Sequence, residues 1–539
     1  MFYKRYYNFA NYFKGVIMQE TQNNLAQVKS DILAELKMRV EDRILEPNNY
    51  EVLCKLINKA DSISEAQAIA ALGTTYKKTG FHFDTRLENL SNDIHFLAKD
   101  KALSFENDKN AITHKLIIGD NYPALLNLLI TYREKIKVIY IDPPYGKDDL
   151  GEFAKTNYEN AITRDNLLSM LKPRLEIAKM LLKDDGVIFC SIDDRNQAYV
   201  KCLFDDIFGE GNFVANIVWN SISSVLKQSK FIRKEHEYIL CYAKNKDNLE
   251  FNKLENTMEF SNPDNDPKGE WFSSNAAAPN QNNDMNKFAI KLPNGTECVR
   301  NWKFSFEDFT SGKVSLYFKN GNVPRLKIYK NEYDENTKIL ASIFKDLGSI
   351  TTAKAEMKCI FSDFEYDLFD TPKPLDLIKQ ILQISTLNDD IILDFFAGSG
   401  TTAHAVMELN RADNGNRECI LVTNNEITEL NPNGIAVDVT AKRLKRIMSG
   451  ECYDGSKNFK WREKNEPYKD NLEVFRIEKV SKYAQESDKS VLEVIDESAY
   501  GLIEFDSIHE KAKWIAKNFD ITLKELENDK AYKMRQKGE

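Results

Sequence analysis

The sequence predicts an α/β fold built on a mostly parallel sheet. Three observations lead there. Val138-Ile139-Tyr140-Ile141 is a short run of β-branched and aromatic residues that stops at Asp142-Pro143-Pro144-Tyr145-Gly146, as a buried strand does. Ile391-Ile392-Leu393-Asp394 is a second such run, and it enters the turn Phe395-Phe396-Ala397-Gly398-Ser399-Gly400-Thr401-Thr402 ahead of a helical stretch over 403–409. Further apolar runs of strand length alternate with helical patterns, the arrangement that gives parallel sheets.

The first run ends for a chemical reason. Each proline lacks an N–H and fixes φ, so the strand cannot continue. The result is a stiff loop at the carboxyl end of a parallel strand, where α/β sheets bind ligands. It offers one carboxylate, one free carbonyl and one aromatic face. That set suits a flat base with an exocyclic amino group: Asp142 and the Pro143 carbonyl accept the amino hydrogens while Tyr145 stacks on the ring. Alone, the loop also reads as a proline-stopped strand with a capping Asp. In the second run the glycines let the backbone approach a ligand and open the helix.

In chain order, residues 1–17 are aromatic and basic and lack the apolar core of a secretion signal. Met18 opens an ordinary polar start, so 1–17 read as an upstream extension or a disordered arm. Leu25, Val28, Ile32, Leu33, Leu36 and Val40 recur at helical spacing and predict an amphipathic helix over 24–45. A second helical pattern covers 50–78, and 79–88 reads as a connector with His82 packed in it. Lys115-Leu116-Ile117-Ile118 predicts a strand. Gly119-Asp120-Asn121 predicts a turn whose Asp or Asn caps a helix over 124–132. A helix over 164–182 is broken or kinked by Pro173. Asp184-Asp185-Gly186 predicts a turn and 187–194 a strand with an acidic end. A helix over 197–208 and a strand over 231–242 follow.

Residues 244–365 change character. Glycine, proline, asparagine and exposed aromatics dominate, and Lys268, Lys287, Lys291, Arg300, Lys303, Lys313, Lys319, Arg325, Lys327 and Lys330 recur. This reads as an inserted, loop-rich module. Thr371-Pro372-Lys373-Pro374 opens a helix over 375–384, since proline suits the first turn. Cys419-Ile420-Leu421-Val422 predicts a strand that leads to Glu426, and an acid at that place commonly holds ribose hydroxyls. A basic helix is expected over 439–448.

Composition bounds the function. The chain has 539 residues, 42% hydrophobic and 29% charged, as in ordinary globular proteins of several domains. No apolar run approaches the ~20 residues that span a bilayer, so no membrane is expected. The eight cysteines form no Cys-x-x-Cys pair and the six histidines show no ligand spacing. Free thiols in the cytoplasm and no metal follow. The net charge of −9 argues mildly against nucleic acid, so any DNA surface must be a local basic patch.

The two loops together resemble the paired signatures of amino-methylating DNA methyltransferases. Their order, Asp-Pro-Pro-Tyr before the glycine loop, is similar to the permuted β-group of adenine-N6 enzymes. The 79–88 connector, the Gly119-Asp120-Asn121 turn, His236-Glu237-Tyr238 and a late strand over 471–477 also resemble modification subunits of type III restriction systems. The resemblance implies a Rossmann-like methyltransferase sheet and S-adenosylmethionine as cofactor. It implies catalytic roles for Asp142, Pro143, Pro144 and Tyr145. Asp120, Asp394, Phe396, Gly398, Ser399, Gly400, Thr401 and Glu426 would lie around the cofactor, with Thr371 and Lys373 near its methionine end. It further implies double-stranded DNA as substrate, a homodimer, and a separate restriction subunit with helicase and nuclease activity; this chain has no Gly-x-x-x-x-Gly-Lys-Ser/Thr loop of its own.

The expected domains are a helical N-terminal extension (1–100), a catalytic part (101–243), an inserted target recognition domain (244–365), a cofactor-binding part (366–450) and a C-terminal extension with subunit contacts (451–539). The rivals are an orphan adenine methyltransferase, a cytosine-N4 enzyme, a protein-glutamine methyltransferase and a non-catalytic specificity subunit. Asp142 favours adenine, because cytosine-N4 enzymes more often carry Ser there and glutamine enzymes Asn.

Overall fold

The computed structural model describes residues 22–41, 47–72, 93–146, 164–222, 232–254, 259–278, 286–333, 340–482, 489–527 and 532. The expectations for 1–17, for the connector with His82 and for Phe231 fall outside these residues. The chain divides into two compact units, Met1–His82 and Phe83–Glu539.

The first unit holds α1 (Gln22–Glu41), α2 (Pro47–Lys59) and α3 (Ile63–Leu72). Val28, Ile32 and Leu36 repeat every fourth residue and pack against Leu53, Ile57 and Ala66, the stripe that an amphipathic helix needs. The sequence expects one helix over 50–78; the structure has two. Ser62 explains the break. Its Oγ accepts the Glu65 N–H at 3.1 Å, while the Glu65 carboxylate accepts the Asp61 N–H at 2.8 Å. That reciprocal cap starts a new helix.

The second unit runs β1 (Asp93–Lys99), β2 (Thr113–Ile118), α4 (Asn121–Tyr132), β3 (Ile136–Ile141), α5 (Arg164–Leu181), β4 (Leu182–Ile192), α6 (Gln197–Phe208), β5 (Phe213–Asn220) and β6 (His236–Ala243). The stretch expected as an insertion holds β7 (Trp271–Asn275), β8 (Lys287–Lys291), β9 (Glu297–Asn301), α7 (Phe306–Thr310), β10 (Leu316–Lys319), β11 (Val323–Tyr329), β12 (Ile343–Phe344) and α8 (Ile350–Ile360). Then come α9 (Leu375–Ser385), β13 (Ile391–Asp394), α10 (Thr401–Asp413), β14 (Glu418–Thr423), a π-helical turn (Ala436–Ala441), α11 (Lys442–Ser449), β15 (Asn471–Ser481), α12 (Val491–Val494), α13 (Ile508–Asn518) and α14 (Leu523–Glu527).

Among the described residues the main sheet has the order β1-β15-β2-β14-β13-β3-β4-β6-β5-β12. Every neighbouring pair from β15 to β4 is parallel. This is the Rossmann-like, mostly parallel sheet that the two loops require. β1 and β15 enter it from stretches that the sequence assigns to extensions. The insertion carries separate small sheets, β10-β11-β7 and β8-β9.

Two local expectations differ from the structure. The turn at Asp184-Asp185-Gly186 lies inside β4, where the register jumps from Ile136↔Leu182 to Val138↔Val187. The extra residues are absorbed as a bulge rather than ending the strand. Pro173 sits within α5 without ending it.

Strand alternation fills both faces of the sheet. Ile136, Ile139 and Ile141 of β3 join the core that holds Leu125, Leu171 and Leu203 of α4, α5 and α6. Val138 and Tyr140 join the opposite core with Leu377, Val406 and Leu444 of α9, α10 and α11. From β3 the chain crosses by α5 to β4 on one side; from β13 it crosses by α10 to β14 on the other. The strand order therefore reverses between β3 and β13, and a crevice opens beyond their carboxyl ends.

Candidate active site

The loops after β3 and β13 meet in that crevice because their strands are parallel neighbours, with Leu393 paired to Ile139. They share a cavity of about 550 Å³ lined by Asp142, Pro143, Pro144, Tyr145, Thr371, Lys373, Asp394, Phe396, Gly398, Ser399 and Thr401, among others. Three expected site residues lie outside its lining. Asp120 caps α4 by accepting the Tyr122 N–H at 2.7 Å and pairs with Arg174 at 2.9 Å. Gly400 precedes α10 with φ +79°. Glu426, half-buried, accepts the Ile435 N–H with its carbonyl at 2.9 Å.

A charged cluster occupies the mouth of the β3 loop. Lys373 Nζ lies 2.9 Å from Asp142 Oδ1 and 3.2 Å from Glu237 Oε2. It also donates to the Tyr145 hydroxyl at 2.7 Å and sits 4.9 Å from the centroid of the Tyr145 ring. The single hydrogen of the Tyr145 hydroxyl is shared between two acceptors, Asp142 Oδ1 at 3.0 Å and Glu237 Oε2 at 2.8 Å. Asn196 steadies the loop by donating to the Tyr145 carbonyl at 2.7 Å.

The electrostatics follow from that packing. Burial raises the Asp142 carboxyl above its usual range, against the pull of Lys373. Burial alone would lower the Lys373 ammonium, but Asp142 and Glu237 hold it above its ordinary value. Burial, with the two carboxylates beside it, drives the Tyr145 phenol far up, so it stays protonated. Lys373, expected near the cofactor's methionine end, thus rests its ammonium on the Asp142 carboxylate.

The β13 loop is held differently. Asp394 accepts the Phe396 N–H at 3.0 Å and the Thr402 hydroxyl at 2.5 Å. Burial pushes its carboxyl up to about 7 against those two donors. Gly398 has φ +47°, and a Cβ there would meet Phe369 Cζ at 3.1 Å. Thr440 donates to the Gly398 carbonyl at 2.6 Å, and Asn121 donates to the Phe395 carbonyl at 2.9 Å. So the Gly-Asp-Asn turn touches this loop through Asn121 rather than Asp120.

Beneath the loop lies Arg443, fully buried. Its guanidinium donates to Thr401 Oγ1 at 2.8 Å, to Ser399 Oγ and the Ser399 carbonyl at 3.3 Å each, and to His404 Nδ1 at 3.0 Å. Burial, then Arg443 and Arg411, drive the His404 pKa far down. The neutral ring accepts from Arg443 and passes its other N–H to the Tyr468 hydroxyl at 3.1 Å.

The His236-Glu237-Tyr238 run, which the resemblance places at the wall of the base pocket, does contribute His236 and Glu237 to the cavity lining. Sequence reasoning missed the bond of Glu237 to Lys373, and it missed Arg443. Arg443 lies in a helix that reads only as basic, and nothing in that pattern marks it as buried.

A family described as DNA methylase matches residues 136–448, and an uncharacterised conserved protein family matches 37–138. The chain is 31% identical over 388 residues to the Mod subunit of the type III restriction-modification enzyme StyLTI of Salmonella typhimurium, which covers 63% of this chain and 58% of that protein. It is 30% identical over 428 residues to the EcoPI Mod subunit of Escherichia phage P1, covering 65% of each. It is 30% identical over 380 residues to the type II methyltransferase M.KpnI of Klebsiella pneumoniae, covering 63% of this chain and 90% of that one. The chain therefore spans less than two thirds of the length of either Mod subunit.

Proposed function

The chain belongs to the DNA methylase family, and from that premise we propose that it transfers a methyl group from S-adenosylmethionine to the N6 amino group of adenine in duplex DNA. We further propose that it is the modification and recognition subunit of a type III restriction-modification system. The carrying observation is the single cavity that joins Asp142 and Tyr145 to Asp394, Phe396 and the glycine loop.

The residues fit the cofactor. The cavity volume of about 550 Å³ falls in the range of small-molecule sites, and its β13 side offers a tight glycine turn, an aromatic ring and a carboxylate. Thr371, Asp394, Phe396, Gly398, Ser399 and Thr401 would hold it. When bound, S-adenosylmethionine supplies an activated methyl on a sulfonium.

The chain's own residues supply geometry and electrostatics. The adenine N6 lone pair is delocalised into the ring. Asp142 and the Pro143 carbonyl accept the two amino hydrogens, which makes the nitrogen more tetrahedral and aims its lone pair. Asp142 then stabilises the positive charge that grows as the N–C bond forms. The nitrogen gains a methyl, the bond from that methyl to sulfur breaks so that the spent cofactor would leave as the neutral thioether S-adenosylhomocysteine, and the nitrogen sheds one proton to solvent. Tyr145 holds a base flipped from the duplex, which costs a few kcal/mol of unstacking.

Residues 244–365 are assigned to target recognition. Lys287, Lys291 and Arg300 on β8 and β9 are exposed there, and such side chains contact phosphates and base edges. The proposed partners are a restriction subunit and a second copy of the chain, in the cytoplasm. Among the described residues no helix is long and apolar enough to cross a membrane.

Transfer of a labelled methyl from S-adenosylmethionine to DNA tests the reading, and nucleoside mass spectrometry of the product separates N6-methyladenine from N4-methylcytosine. A purified chain that labels no DNA, with host DNA lacking the modification as substrate, overturns it.

A further inference from the structure

We propose that Lys373 is an internal occupant of the target-amine subsite, and that Glu237 is the group that takes the lysine over when a base enters. The inference rests on the methyl-transfer reading of the same cavity. Lys373 Nζ uses Asp142 Oδ1 at 2.9 Å and donates to the Tyr145 hydroxyl at 2.7 Å. A flipped base needs that same acceptor. The ammonium also resembles the methylated amine as it forms: a cationic nitrogen, donating hydrogens to a buried carboxylate. The subsite is thus built to hold positive charge on nitrogen, and the lysine fills it.

The fold limits how the lysine can leave. Lys373 lies between Pro372 and Pro374. Pro374 holds the residue before it extended, and both prolines have fixed φ. The backbone on either side is stiffened, and the side chain is the part freest to swing. Glu237 Oε2, 3.2 Å from Nζ, is already in place on β6 as a second carboxylate. Giving up Asp142 while keeping Glu237 leaves the ammonium paired, whereas giving up both would strand a charge in a largely closed site. Glu237 therefore acts as a positioning residue: it sets how readily Lys373 yields Asp142.

The test compares affinities for two duplexes at the site that product sequencing identifies. One carries adenine at the target position; the other carries purine, which lacks the 6-amino group. The readout is the ratio of Kd for purine to Kd for adenine. Lys373→Met should raise that ratio about tenfold over wild type, because the amino group no longer competes for a charged acceptor. Glu237→Gln should lower it, because the lysine then clings to Asp142. The double variant should follow Lys373→Met. Opposite shifts from two neighbours, with that epistasis, are not what a packing defect produces. A ratio unchanged or lowered in Lys373→Met overturns the proposal, as does a Glu237→Gln ratio that rises. If wild type labels DNA and the ratios fail, only this inference falls. If wild type labels no DNA, the methyl-transfer reading falls and takes the inference with it.

Discussion

The two loops that face the cavity are anchored by opposite means. The β3 loop meets its neighbours through charges at the cavity wall: Lys373, Glu237 and the Tyr145 hydroxyl, each within 3.2 Å of another. The β13 loop is fastened from below by a buried guanidinium and by side chains that bond its backbone carbonyls. A lysine held by two carboxylates can give up one of them at modest cost, because the other stays in place. A fully buried guanidinium cannot, since any lost partner leaves a desolvated charge. The difference teaches which half of the site rearranges and which half serves as a fixed cradle.

The sharpest way to break this contrast is Asp142→Ala. On the rearranging side the variant should lose function and keep its structure. Methyl transfer to DNA is expected to fall by about 100- to 1000-fold or more, the cost of removing one group that stabilises developing charge. Cofactor affinity should stay within about twofold and Tm nearly unchanged, because Lys373 retains Glu237 and Asp142 pays a burial penalty of its own. Labelled transfer, calorimetric titration and a melting curve read all three. Transfer at the wild-type rate would end the mechanism; a collapse of Tm would mean that this loop is a fixed cradle too.

Arg443→Met should do the reverse. It strips Ser399, Thr401 and His404 of a donor at once and leaves Glu356, 3.6 Å from the guanidinium, without its cationic neighbour and with the His404 ring beside it at 3.4 Å. Removing one member of such a buried set costs about 3 kcal/mol or more, seen as a Tm lower by several degrees. Cofactor affinity should drop about tenfold, because the loop that Ser399 and Thr401 shape loses its underside. Arg443→Lys, which keeps the charge but not the fork, should recover part of the Tm and little of the affinity. Wild-type cofactor affinity in Arg443→Met would show that the cradle does not depend on its anchor.

The same contrast explains what the sequence made legible. Both loops announce themselves locally, since prolines stop a strand and glycines open a turn whatever surrounds them. The parallel order of β2, β3, β13 and β14 follows from apolar runs between helices. Their supports are another matter. Glu237 is one acid in a strand, and it matters only because β6 lies antiparallel beside β4. Arg443 is one of four basic residues, Lys442, Arg443, Lys445 and Arg446, and only tertiary packing buries it. β1 is equally quiet: Asp93-Ile94-His95-Phe96-Leu97-Ala98-Lys99 mixes polarity because, among the described residues, it is an edge strand paired with β15. Lys373 was visible as a residue of interest but not as the partner of Asp142, because the two are joined by a loop geometry that no spacing encodes.

The smallest effect concerns a charge inside the fixed half. Asp394 ends β13, is buried, and among the described residues is met by neutral donors, the Phe396 N–H and the Thr402 hydroxyl. Its carboxyl is pushed from 3.8 up to about 7. Between those two values the folded chain binds a proton that the unfolded chain has released. Stability must therefore fall as pH rises through that window and level off above it. Asp394→Asn cannot ionise, so the Tm of the variant minus that of wild type should grow from pH 5 to pH 7 and stay level from pH 7 to pH 8. The growth should be a few degrees at most, given the size of the unit. A difference that is flat across pH 5 to 8 would mean that Asp394 ionises in the ordinary carboxylate range while folded. The cradle would then carry a solvated or paired charge at Asp394, and its claim to be a desolvated, fixed half of the site would fall.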